Sequence, residues 1–123
     1  MLCDHLQGLK IIVMSKTKCV FCKIISGDLE TKFVHKSEDV FVFHDINPKA
    51  PTHLLIVPRE HIKSLLDLKD KHSWLLTKMI KVVQTLVKEK KLEGGFRVLI
   101  NGGSFQVVEH LHFHLLSEET LVD

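Results

Sequence analysis

The sequence predicts one compact domain in which several short strands share a core with a single long helix. Three observations carry this reading. In Glu109-His110-Leu111-His112-Phe113-His114-Leu115-Leu116 histidine alternates with a large apolar residue, which is the period of a strand. Thr52–Pro58 is a near-continuous apolar run, as expected of a central strand. Leu75, Leu76, Met79, Ile80, Val83, Leu86 and Val87 recur at helical spacing, with Lys78, Lys81 and Lys88 largely off the stripe. At 123 residues and 45% hydrophobic content, one domain with a real core is expected.

The elements follow in order. Residues 1–17 are expected to form an N-terminal extension, ordered or disordered, and 18–123 the domain. Met1–Val13 is mildly apolar, but Asp4, His5 and Lys10 interrupt any signal-peptide core, and Met14 is a second candidate start. Cys19-Val20-Phe21-Cys22 opens a short helical turn that ends at Gly27. This Cys-x-x-Cys suits half a zinc site, a redox pair, or two buried small apolar side chains. No second such pair exists, so a zinc would have to take histidines. Val34-His35 and Asp39–Asp45 read as a hairpin that runs into a turn with two prolines, Pro48 and Pro51. His53 sits at the entrance of the Thr52–Pro58 strand, and His61 beyond its exit reads as a solvated loop histidine. The long helix should span Asp70 to Leu92, capped by Asp67 or Asp70 and ended by Gly94-Gly95. Trp74 and Met79 on it belong to core or interface. Phe96–Asn101 is a further strand, and Gly102-Gly103-Ser104-Phe105-Gln106 a tight link whose backbone N–H groups suit phosphate oxygens.

In a strand, His110, His112 and His114 share one face at a spacing of roughly 6–7 Å, while Leu111, Phe113 and Leu115 share the other. The outer pair then stand about 13 Å apart, too far for one zinc with bonds of about 2 Å. An anion the size of a phosphate fits better. The middle imidazole approaches phosphorus while a neighbour donates to an oxygen, so the row reads as a site for phosphoryl or nucleotidyl chemistry.

Bulk composition narrows the class. A net charge of +2 gives no broad nucleic-acid footprint, and no apolar run approaches the length of a membrane span. Three cysteines, an odd count with two only three apart, argue for a reducing compartment, hence the cytoplasm.

Taken together these motifs resemble the histidine triad (HIT) nucleotide hydrolases and transferases, in particular the nucleoside phosphoramidase branch. The row from His110 to Leu116 matches the His-x-His-x-His signature and its two apolar residues. Asn101 and Gly103, Gln106 and Val108, the stretch Phe43-His44-Asp45-Ile46-Asn47-Pro48-x-Ala50-Pro51-Thr52-His53, and Pro58-x-x-His61-Ile62 match in order, over residues 18 to 116. The resemblance implies an α+β fold: a five-stranded antiparallel sheet with one long and one short helix, dimerising through the long helix and a sheet edge. It implies a hydrolase acting on a purine nucleoside monophosphate or derivative, without an organic cofactor. His112 would attack the α-phosphorus to give a nucleotidyl-histidine that water cleaves. His114 would bind the phosphate, and His110 would orient or relay protons, with His53 also in the catalytic set. Asp45 would hold the ribose hydroxyls, and Phe21, Ile24, Phe43 and Ile46 would sandwich the base; His44, Asn101, Gln106 and Val107 complete the nucleotide contacts. Relatives with this Cys-x-x-Cys imply a structural zinc on Cys19, Cys22, His53 and His110.

The chain departs from the family pattern in four places. The link from Asn101 to Gln106 is two residues short, Phe105 stands where a glycine is expected, Val107 replaces a leaving-group serine, and the tail after Ser117 lacks a Gly-Gly. These departures keep a second class in view, a nucleotide-binding dimeric module with weak or lost catalysis. A zinc hydrolase ranks third, because four protein ligands would leave water no open position.

Overall fold

The computed structural model describes residues 18–121, so the expected extension over residues 1–17 lies outside the described residues. Five strands form one antiparallel sheet: β1 (Phe33–Lys36), β2 (Val40–His44), β3 (Thr52–Pro58), β4 (Arg97–Leu99) and β5 (Phe113–Ser117), in the order β1-β2-β3-β5-β4. Two helices accompany it, α1 (Val20–Ser26) and α2 (Ser73–Glu89). The α+β architecture implied by the resemblance is therefore the one observed.

Strand alternation gives the sheet two differently employed faces. Val42, Leu54, Ile56, Phe113 and Leu115 pack with Leu75, Met79, Val83, Leu86 and Val87 of α2 into the main core. On the other face Phe43, Leu55 and Val57 pack against Phe21 of α1 in a smaller cluster. Central β3 is buried along its whole length, as an apolar run predicts. Pairing across the strands aligns two rows on the α1 face: Phe43, Leu55, His114 and Leu99, and beside it Asp45, His53, Leu116 and Arg97.

Several boundaries differ from expectation, each for a physical reason. The last strand starts at Phe113 rather than Glu109. Its partner β3 ends at Pro58, which has no N–H to continue the ladder, and Leu111 N–H instead donates to Ile62 O at 2.6 Å. The His/apolar alternation survives outside the ladder, since Leu111 joins Phe113 and Leu115 in the main core. The long helix is shorter than Asp70 to Leu92. A separate 3₁₀ turn covers Asp70–His72, and neither Asp67 nor Asp70 caps α2 through its side chain. Nor is Gly94-Gly95 the stop. Lys91 takes φ 60°, Lys91 N–H donates to Lys88 O at 3.3 Å and Leu92 N–H to Val87 O at 2.8 Å, a Schellman closure. Full burial of Leu92 offsets the strain of a left-handed lysine. α1 does end as read, at Gly27 with φ 93°. The strand expected over Phe96–Asn101 contracts to Arg97–Leu99.

Candidate active site and metal centre

A cleft of about 630 Å³ opens on the α1 face of the sheet. Phe21, Ile24, Phe43 and Ile46 line an apolar part, Asp45 lies beside them, and Asn101, His112 and His114 line the polar part. His44 and Val107 also face it, and Ile46 and Val107 at its rim are 90% and 93% exposed. α1 supplies the inner wall. The Phe21 ring meets Phe43 edge-on at 5.5 Å and His112 at 4.9 Å, so one aromatic side chain joins the apolar slot to the histidines.

The hydrogen bonds of the histidines determine their tautomers. His112 Nδ1–H donates to the main-chain carbonyl of His110 at 2.7 Å, which leaves the lone pair on Nε2. His112 is buried, and burial lowers its pKa, so the ring is held neutral at pH 7. Lys49 N–H donates to His53 Nδ1 at 3.0 Å, so the neutral His53 carries its proton on Nε2. That proton faces His114 Nδ1 at 2.9 Å, with Asp45 Oδ2 at 3.4 Å as a second neighbour. His114 then carries its own proton on Nε2, a tautomer that requires the Asn101 amide, 3.3 Å away, to turn its oxygen rather than its Nδ2 to the ring. Burial, then the neighbouring His112 and His53, depress His114 to about 4, and burial lowers His53. The cleft thus presents one lone pair on His112 and one N–H on His114, with ring centroids 4.8 Å apart. A nucleophile beside a hydrogen-bond donor is what attack on a phosphoryl centre requires.

His110 is not part of this pair. Its ring is fully buried on the far side of Phe21, where it meets Cys19 Sγ at 3.3 Å, Cys22 Sγ at 3.6 Å and His61 Nδ1 at 3.1 Å. All three contacts converge on His110 Nδ1, while Nε2–H donates to Pro58 O at 2.8 Å. Cys22 is disulfide-bonded here and has no S–H to donate; with Cys22 reduced, a cation among the four atoms would engage them all. In a tetrahedral zinc site with bonds of about 2.0–2.3 Å, adjacent ligand atoms stand roughly 3.3–3.8 Å apart. The observed separations approach that range, all four atoms lie within 4.8 Å of one another, and the Pro58 carbonyl fixes the tautomer that leaves Nδ1 available. The Cys19, Cys22, His61 and His110 side chains therefore fit zinc.

Three assignments need correction. The fourth member of the cluster is His61, not His53; His61 is solvent-exposed as expected but no bystander, for its Nδ1 lies 3.3 Å from Cys22 Sγ. His53 is held at the other end of the site by Asp45 and His114. The reason is the turn after Pro58, which brings His61 back across the approach to β5. The hydrogen bond from His110 Nε2–H to Pro58 O, which no spacing in the sequence announces, holds the two segments together. Gln106 does not face the cleft either, because its Nε2–H donates to Lys63 O at 2.8 Å. Lys49 and Arg97 line the cleft without having been singled out in the sequence.

Comparison with known proteins adds the lineage. Residues 18–122 match the family model described as "Scavenger mRNA decapping enzyme C-term binding". Protein HitA of Neisseria gonorrhoeae is 40% identical over 100 residues, covering 80% of this chain and 94% of that protein. The chain belongs to the histidine triad family. A HIT family hydrolase from Legionella pneumophila Philadelphia 1, of known crystal structure, superposes with a TM-score of 0.80 at 37% identity, covering 85% of this chain and 96% of that one. A 14 kDa zinc-binding protein of Zea mays is 39% identical over 101 residues, 79% of each chain. The HIT relatives thus include a protein named for hydrolysis and one named for zinc. Among the described residues no helix is long and apolar enough to cross a membrane.

Proposed function

We propose that this HIT chain is a purine nucleotide hydrolase that cleaves a P–N or P–O bond at the α-phosphate of a nucleoside monophosphate derivative. The observation that carries the reading is the tautomer of His112, whose buried, neutral ring keeps a lone pair on Nε2 in the wall of a nucleotide-sized cleft. The base enters the slot of Phe21, Ile24, Phe43 and Ile46, and Asp45 accepts hydrogen bonds from the ribose hydroxyls. Asp45 Oδ1 already accepts from Asn47 N–H at 2.8 Å, which holds the carboxylate in place. His112 Nε2 attacks the α-phosphorus. The P–N or P–O bond to the leaving group breaks as a P–N bond to His112 forms, and the leaving group takes a proton from solvent water. Water then cleaves the nucleotidyl-histidine and releases the nucleoside monophosphate. His114 donates Nε2–H to a phosphate oxygen, and His53 holds His114 in the tautomer that makes this possible.

His110, assigned to proton relay in the family pattern, serves the neighbouring cluster instead. The same reading places a structural zinc on Cys19, Cys22, His61 and His110, where it would clamp the start of α1 to the exit of β3 and the approach to β5. The chain acts in the cytoplasm as a homodimer.

The test is His112→Asn. Turnover of adenosine 5′-phosphoramidate should fall by at least about a thousandfold, while adenosine monophosphate binds with near-unchanged affinity. Near-parental turnover would assign the nucleophile elsewhere. Tight binding by a parent chain that turns over no phosphoramidate would favour the second reading, a nucleotide-binding module, for which the exposed Val107 and Phe105 at the phosphate end speak.

A further inference from the structure

We infer that the Cys/His centre governs the nucleotide cleft through α1. A metal held by Cys19, Cys22, His61 and His110 tightens nucleotide binding, and a bound nucleotide tightens the metal in return. The coupling rests on the purine-nucleotide reading above and on the fit of those four side chains to zinc.

Helix α1 belongs to both sites at once. Cys19 is its N-cap and Cys22 stands in its first turn, while Phe21 between them forms the inner wall of the cleft. The Phe21 ring lies 5.8 Å from that of His110 in the centre, edge-on. It lies 4.9 Å from His112 and 5.5 Å from Phe43, both of which line the cleft. One buried side chain thus meets the metal centre, the nucleophile and the base slot. Ile24, one turn further along, lines the same slot. A helix of seven residues has no stability of its own, so its position is set by whatever anchors it. Over the sheet the anchors are Phe21, Ile24 and Ile25, packed with Phe43, Leu55 and Val57. At its start the anchor is the Cys/His centre.

The four ligands come from three segments: α1, the exit of β3 and the approach to β5. A cation bonded to all four ties α1 to the other two, and with it fixes Phe21 and Ile24 in the slot. Ordering α1 then costs the nucleotide less, because the metal has already placed the helix. The converse holds when the nucleotide binds first, and linkage makes the two effects equal in size. None of the four ligands belongs to the core between the sheet and α2, which leaves α1 as the element that responds. The Cys22 sulfur is disulfide-bonded in the structure, and a sulfur so bonded is no thiolate ligand, so the coupling is a property of the reduced chain.

The experiment titrates the reduced parent with adenosine monophosphate by calorimetry, once loaded with zinc and once stripped of metal. Zinc affinity is measured by competition with a chelator, with and without saturating adenosine monophosphate. Stripping should raise the nucleotide Kd at least about fivefold, and saturating nucleotide should lower the zinc Kd by the same factor. His61→Ala, which removes a ligand outside the cleft, should bind nucleotide like the stripped parent even at zinc levels that load the parent. Phe21→Leu should bind zinc like the nucleotide-free parent. It should bind nucleotide more weakly, with Kd equal within about twofold in the loaded and stripped chains. Trp74, the sole tryptophan, lies on α2, and its emission should not move on stripping. A shift to the emission of the urea-unfolded chain would make the effect global unfolding and overturn the coupling. Zinc and nucleotide that each bind without changing the other's Kd would also overturn it, while leaving the nucleotide reading in place. A parent that binds no adenosine monophosphate in either state would remove both. Coupling kept in full by Phe21→Leu would overturn the route through α1.

Discussion

His53 and His114 are bonded ring to ring, Nε2 to Nδ1 at 2.9 Å, although 61 residues separate them. With His53 Nδ1 occupied by the Lys49 N–H, the bond leaves His114 one tautomer, with the proton on Nε2 toward the cleft. His53→Ala should therefore lower kcat about tenfold while nucleotide affinity changes little, because His53 acts through His114. His53→Gln, which keeps a donor, should recover part of it. A KM rise with constant kcat would mean that His53 binds substrate directly.

The same pair makes stability depend on pH. His114 is depressed to about 4 and His53 is lowered, in both cases mainly by burial, so the unfolded chain binds more protons than the native chain below the ordinary histidine range. Stability from these groups is fully present above about pH 6.5 and is lost as pH falls from there toward about 4. Urea midpoints should drop from pH 7 to pH 5 in the parent and drop less in a His53→Gln, His114→Gln double variant. An identical drop would assign the effect to other groups.

Zinc should follow His61 and not His53. The reduced chain, purified without added metal, should carry about one zinc, and His61→Ala should lose it to a chelator that leaves the parent loaded. His53→Ala should keep it. Metal retained by His61→Ala, or absent from a parent whose Cys19 and Cys22 alkylate readily, would remove the site.

Val107 stands 93% exposed at the cleft rim, where a hydroxyl would meet the leaving group. Val107→Ser should raise turnover of a phosphoramidate, by at most the hundredfold typical of one transition-state donor, roughly 3 kcal/mol. It should leave an acyl-nucleotide nearly unchanged, because that leaving group needs little protonation. Equal gains on both would shift the explanation to the shortened link between Asn101 and Gln106.

β4 is an edge strand with Phe96, Val98, Leu99 and Ile100 exposed in and around it, and Trp74 and Ile80 of α2 are also exposed. Such an edge invites its own copy. Sedimentation at micromolar concentration should give twice the chain mass, and Val98→Lys with Ile100→Lys should return it to the monomer. A parent that sediments as a monomer would end the dimer proposal.

The sequence alone determined whatever depends on near neighbours. Leu111, Phe113 and Leu115 enter the main core while His110, His112 and His114 do not, although His110 and His112 are buried too, so the two faces were legible from the period and not from burial. The β3 boundaries follow from an apolar run closed by a proline, and the end of α1 from the one residue that takes φ 93° without strain, Gly27. Tertiary structure decided what depends on where distant segments return. Helix α2 stops at Lys91 because Leu92 finds a place in the core, a gain that local propensity cannot register. His61 joins Cys19 and Cys22 because the chain leaving Pro58 crosses over the approach to β5, and His53 meets His114 because β3 pairs with β5. Spacing counts residues along the chain, whereas a ligand set or a hydrogen-bond relay is measured through space.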